Sequence, residues 1–151
     1  MEEWRMGEAG VDYTVSYVTP DDLPSIFPQV KEYLEGAVEY APEYSLDDVI
    51  LSVIQEDSQM FVVSEGKDIQ GVVVTVIEKH PQRSYVQIHL LGGKNMKAWV
   101  QTLRDKLKQF ASKIGCDGLS IFARRGWAKI FPDLRYERII MVDLLGDADV
   151  R

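Results

Sequence analysis

The sequence has 151 residues, of which 46% are hydrophobic and 27% charged, and its formal net charge is -7 at pH 7. These values are typical of a single globular domain and exclude a disordered polypeptide. One cysteine, Cys116, excludes an intrachain disulfide, and two histidines are too few for a structural zinc site. Because no apolar stretch reaches the length of a membrane span, we expect a cytoplasmic protein with no metal and no membrane partner.

The charges are unevenly distributed along the chain. Residues 1–57 contain fourteen acidic and two basic side chains, whereas residues 94–129 contain nine basic and two acidic ones. This asymmetry favours an anionic ligand at the second half, although two solvated helix faces would give the same pattern. The net negative charge argues against a nucleic-acid partner.

The first predicted elements are a strand and two helices. Residues 13–17 alternate between apolar and polar side chains, which is typical of a half-buried strand. Apolar residues recur at helical spacing over residues 26–37. Ser45 and Asp48 have the spacing of a capping box, which predicts the start of a second helix.

Three strands and a long helix follow. Residues 60–63 and 71–77 are rich in β-branched side chains and predict a hairpin, and residues 85–91 predict a third strand beside it. Gly92-Gly93 ends that strand. Apolar residues at steps of three or four then predict a helix over residues 96–114.

A short strand, a short helix and a final strand complete the pattern, at residues 119–123, 126–131 and 137–145. An antiparallel meander followed by a strand-helix-strand crossover predicts an α/β fold with a mixed sheet. We expect a tail at residues 1–11, one domain at residues 12–145 and a second tail at residues 146–151.

This order of elements resembles the GNAT superfamily of acyl-CoA-dependent N-acyltransferases over residues 12–145. The resemblance implies a bulged fourth strand that offers backbone groups to the pantetheine arm, and a following loop that binds the pyrophosphate of acetyl-CoA. It also implies acetyl transfer to a small-molecule or protein amine. The corresponding cofactor-binding residues are Leu90, Leu91, Gly92, Gly93, Lys94, Asn95, Met96 and Lys97.

The physical chemistry of this loop allows two interpretations. Glycines let a backbone approach phosphate closely, the first N–H groups of a helix point at an anion, and Lys94 and Lys97 add positive charge. A pair of glycines also serves any tight turn between a strand and a helix. The loop lacks a clear counterpart to the second Gly or Ala of the family motif.

Two residues are candidate general bases under this resemblance, His89 and Glu78. His89 directly precedes the proposed cofactor loop, and strand alternation predicts that it shares a face with Gln87 and Leu91. The alternative interpretation is a histidine that is hydrogen-bonded or solvated on a strand.

The proton donor of the family is less clear in this chain. Phe131 falls at the position of the tyrosine that protonates the leaving thiolate, and it cannot donate a proton, which leaves Tyr136 as a weaker candidate. A second hypothesis is therefore a GNAT-fold protein without catalysis that binds a protein partner. Its loop and the segment at residues 126–129 loosely resemble GNAT-like proteins of tailed phages, some of them packaged in the virion. In such a protein, side chains such as Met96 or Trp99 would fill the cofactor cleft.

Overall fold

The computed structural model describes the backbone of residues 2–8 and 11–121 and the side chains of residues 12–121. The predicted helix at 126–131 and strand at 137–145 lie outside the described residues, as do Phe131 and Tyr136. Among the described helices, none combines the length and apolar character needed to cross a membrane.

The described residues form six strands and three helices. The strand at residues 2–8 was not predicted from the sequence, and the other elements follow the predicted order. The elements are β1 (Glu2–Glu8), β2 (Val11–Val18), α1 (Leu23–Val38), α2 (Leu46–Ile54), β3 (Gln59–Glu65), β4 (Asp68–Lys79), β5 (Ser84–Gly93), α3 (Met96–Lys113) and β6 (Gly118–Ile121).

The strands form one mixed sheet in the order β1-β2-β3-β4-β5-β6. Neighbours from β1 to β5 pair antiparallel, whereas β5 and β6 are parallel. A parallel pair needs a crossover, and α3 supplies it. The predicted meander and crossover are thereby confirmed.

Each face of the sheet carries its own hydrophobic cluster, because β4 alternates its side chains between them. Val72 and Val74 pack with α1 and α2, on what we call the α1/α2 face. Val73 packs with Leu103 and Leu107 of α3, on the α3 face.

The start of α2 confirms the predicted capping box. The Asp48 backbone N–H donates to Ser45 Oγ at 3.1 Å, and the Ser45 N–H donates to the Asp48 carboxylate at 2.9 Å. Two N-terminal donors are satisfied in this way, which fixes where the helix begins.

A β-bulge interrupts the pairing of β4 with β5. The register passes from Val74 opposite Leu90 to Thr75 opposite Ile88, so His89 is the extra residue. Leu90 therefore packs on the α1/α2 face, while Ile88 and Leu91 both pack on the α3 face. The prediction that His89 and Leu91 share a face was wrong, because strand alternation does not hold across a bulge.

Candidate functional site

His89 stands at the bulge, beside the connection between α1 and α2. Its ring lies edge-to-face against Tyr44, with centroids 4.7 Å apart and planes at 87°. Burial lowers the pKa of His89 from its ordinary value of 6.5, and nearby Glu43 opposes this shift. The imidazole is therefore mostly neutral at pH 7 and can accept a proton.

Tyr44 also lines a cavity of about 340 Å³, which we call the acidic groove. Glu35 and Glu39 give it negative charge, although Lys31 Nζ lies 3.7 Å from the Glu35 carboxylate. Carboxylates lining a concave surface attract cations. The groove is lined by Glu35, Val38, Glu39, Pro42, Tyr44 and Leu46.

Glu78, the other predicted base, is engaged elsewhere on the sheet. Its carboxylate accepts hydrogen bonds from Gln87 Nε2 at 3.1 Å and from Ser120 Oγ at 3.2 Å, and His80 Nε2 lies 3.4 Å away. It lies three residue pairs along β4 from the bulge, about 10 Å at the usual rise of a strand. Glu78 ties β4 to β5 and β6 and does not line the acidic groove.

Packing accounts for both glycines of the predicted cofactor loop. Gly92 and Gly93 continue β5, opposite Val72 and Gly71. A Cβ atom on Gly92 would overlap the carbonyl oxygen of Tyr33 in α1, and one on Gly93 would lie 2.5 Å from the carbonyl oxygen of Gln70. The glycine pair thus lets β4, β5 and α1 approach closely. The residues against which these glycines pack are far away in the sequence, so the sequence alone did not reveal this packing role.

Hydrogen bonds fix the loop to its neighbours. The Lys94 N–H donates to the Gln70 carbonyl at 2.8 Å, and the Lys94 carbonyl accepts from the indole N–H of Trp99 at 2.8 Å. Asn95 Nδ2 donates to Gln70 Oε1 at 3.1 Å, and Lys94 Nζ lies 3.5 Å from the Asp68 carboxylate. Trp99 is fully buried on the α3 face of the sheet, and the Lys94 N–H is already hydrogen-bonded to β4.

The start of α3 retains features that fit an anion. Asn95 is left-handed with φ 54° and precedes the helix, whose first N–H groups, at Met96 and Lys97, have no acceptor within the helix. Lys97 is exposed, and an open hollow of about 520 Å³ lies beside it. The residues present therefore fit a pyrophosphate at Asn95 to Lys97. The hollow is lined by Tyr13, Asn95, Met96, Lys97 and Ala98.

The other predicted cofactor residues lie apart from this hollow. Leu90 and Leu91 are buried in the two cores, and the side chain of Lys94 is half exposed beside Asp68. Within residues 12–121, no group of three or more His, Cys, Asp or Glu side chains is arranged to hold a metal ion. Tyr44 was missed by the sequence reasoning, because only the tertiary fold brings it to His89.

No protein-family model matches the chain, and no curated protein matches it. Solved structures do. An aminoglycoside N-acetyltransferase in complex with CoA has a TM-score of 0.65 at 9% identity, over 93% of this chain and all of the other. An aminoglycoside acetyltransferase from an uncultured soil metagenomic sample, in complex with sisomicin, gives 0.61 at 14% identity, over 89% of this chain and 95% of the other.

A third similar structure is the ribosomal-protein-alanine N-acetyltransferase of Brucella melitensis biovar Abortus 2308, with a TM-score of 0.60 at 10% identity, over 87% of this chain and 99% of the other. Together with the mixed sheet, these likenesses establish that the chain has the GNAT acetyltransferase fold, as its order of elements predicted. The loose resemblance to proteins of tailed phages stays a prediction.

Proposed function

We propose that the protein is an N-acetyltransferase that moves an acetyl group from acetyl-CoA to a cationic amine. The observation that carries this proposal is the bulge of β5, which places a neutral imidazole beside an acidic groove within a GNAT fold. Two proteins of similar structure support it, since one was solved with CoA and another with sisomicin.

Two parts of the chain suit acetyl-CoA, namely the start of α3 and the bulge of β5. Bound acetyl-CoA would supply the acetyl group as an activated thioester. The backbone N–H groups of Met96 and Lys97, with the Lys97 ammonium, would hold its pyrophosphate at the start of α3. The bulged backbone at His89 and Leu90 is the segment that the resemblance assigns to the pantetheine arm.

On the acceptor side, Glu35 and Glu39 would attract the ammonium form of the amine, and His89 would accept one proton from it. The nitrogen then bonds to the acetyl carbon as the carbon–sulfur bond breaks, and its second proton ends on the departing sulfur. Both carboxylate oxygens of Glu78 already accept hydrogen bonds, so this side chain would hold Gln87 and β6 in position. A role of Glu78 as general base stays a prediction.

Binding of the donor is the first test. Isothermal titration with acetyl-CoA should give micromolar affinity for the wild-type protein, and Lys97→Glu should weaken it roughly tenfold, equivalent to about 1.4 kcal/mol. Lys108→Glu is the matched control, because it reverses an exposed charge of the same helix away from the hollow. Gly93→Glu is unsuitable, since its side chain would collide with β4 and Trp99.

Acetyl transfer is tested next, with a panel of amines and detection of free CoA thiol. His89→Gln should lower kcat by roughly 100-fold, within the usual contribution of a general base. Equal effects of Lys97→Glu and Lys108→Glu on binding, or an unchanged kcat in His89→Gln, would contradict the proposal.

A second candidate is a GNAT-fold protein without catalysis that binds a protein partner, for example as a phage virion component. One observation favours it: the glycine pair is required for packing and the Lys94 N–H is bonded to Gln70, so the loop is built without a phosphate. If neither acetyl-CoA nor CoA produces heat at millimolar concentration, this candidate replaces the first.

A further inference from the structure

We propose that Tyr44 is a positioning residue, whose ring holds the imidazole of His89 beside the acidic groove. The inference rests on the proposed acetyltransferase function, because it takes His89 as the base and the groove carboxylates as the groups that attract the acceptor. Tyr44 would then influence the turnover of the acceptor more than its capture.

The contact between the two rings has the geometry that aromatic pairs prefer. The rings are nearly perpendicular, at 87°, with centroids 4.7 Å apart. An edge-to-face contact limits rotation of the imidazole about its side-chain bonds. The ring nitrogens of His89 are therefore held in one direction before any ligand binds.

The backbone of Tyr44 is anchored in turn. Its N–H donates to the Ala41 carbonyl at 3.0 Å, and Ala41 is buried in the α1/α2 core at 3% exposure. The side chain of Tyr44 remains 41% exposed. A fixed backbone below a partly exposed ring is an arrangement that can orient His89 without closing the groove.

Tyr44 also forms part of the lining of the groove that contains Glu35 and Glu39. A cation attracted by these carboxylates lies in a cavity that Tyr44 lines, and the proton acceptor contacts the ring of the same residue. Tyr44 is therefore the residue that the groove and the base share. Loss of the ring should disturb the orientation of the base while the carboxylates still attract the substrate.

The first experiment follows the pH titration of the two histidine side chains by NMR in the ligand-free protein. The chain contains only His80 and His89, and exposed His80 serves as an internal reference. In Tyr44→Leu we expect the pKa of His89 to rise, because the imidazole becomes better solvated, while His80 is unchanged. Tyr44→Phe keeps the ring and should titrate like the wild type.

Tyr40→Leu is the matched control, since Tyr40 is a 61% exposed tyrosine four residues earlier that does not line the groove. An unchanged titration of His89 in Tyr44→Leu would overturn the proposal, and the unchanged signal of His80 verifies that the variant is folded. This result does not depend on acetyl transfer, so it separates the failure of this inference from the failure of the proposed function.

The second experiment measures acetyl transfer, with putrescine as the first acceptor probe. Tyr44→Leu should lower kcat about threefold to tenfold, which is the usual worth of an aromatic pair, with a smaller change in KM. Tyr44→Phe and Tyr40→Leu should retain the wild-type kcat. If Tyr44→Leu keeps it too, the ring does not position His89 for the reaction, even where the NMR titration has changed.

Discussion

At the scale of single residues, Gly92 shows how closely α1 approaches the sheet. A Cβ atom there would overlap the backbone oxygen of Tyr33, which cannot move aside as a flexible side chain could. We predict that Gly92→Ala lowers the free energy of unfolding by about 1–3 kcal/mol, as overpacking usually does. Urea denaturation measures this change.

Gly36→Ala is the control for that substitution. Gly36 lies inside α1, and a Cβ atom there would meet nothing within 4 Å. Replacing a glycine in a helix by alanine should raise the free energy of unfolding by about 0.5–1 kcal/mol. Similar changes in the two variants would show that the contact between Gly92 and Tyr33 is not a tight one.

His89 predicts a dependence of stability on pH. Because its pKa is lowered in the folded protein, the unfolded chain binds the proton more tightly, and stability falls as the pH drops below the ordinary value of 6.5. Chemical denaturation at about pH 7.5 and about pH 5.5 should show a larger loss for the wild type than for His89→Gln. An equal loss would mean that His89 is not significantly desolvated.

At the scale of elements, α2 depends on its capping box. Ser45→Ala removes the acceptor for the Asp48 N–H and should cost about 0.5–2 kcal/mol of unfolding free energy. Ser112→Ala, at an exposed position inside α3, should change it by less than about 0.5 kcal/mol. Thermal unfolding of both variants checks this, and a Ser45→Ala protein as stable as the control would contradict it.

Local patterns allowed most of these elements to be predicted, because the capping box, the strand alternation and the helical spacing of α3 each involve residues close in sequence. The strand at residues 2–8 was missed, since Trp4 and Met6 are its only large apolar residues in alternation. The site was only partly predictable. His89 was identified, but the bulge that orients it depends on pairing with β4.

At the scale of the whole molecule, the sheet separates the charges. The acidic helices α1 and α2 cover one face, and the basic helix α3 covers the other. A cationic acceptor should therefore be attracted to the α1/α2 face over distances of roughly a Debye length, and salt should screen this attraction.

This separation predicts a salt effect on acetyl transfer. We expect kcat/KM for putrescine to fall roughly threefold between about 50 and about 300 mM NaCl. Glu39→Gln should reduce that dependence more than Glu32→Gln, which removes the same charge from α1 outside the groove. Equal effects of the two variants would mean that net charge, and not the groove, attracts the amine.

The bulge at His89 also restricts which changes in chain length the protein can accept. The bulge adds one residue to β5, so deleting His89 would place Leu90 directly after Ile88 and leave a regular ladder with β4. Both halves of the strand would keep their present faces. Deleting a residue before the bulge, for example Gln87, would instead turn the side chains between that position and the bulge to the opposite side of the sheet. Ile88 would then leave its core, so β5 accepts the loss of a residue at the bulge more readily than before it.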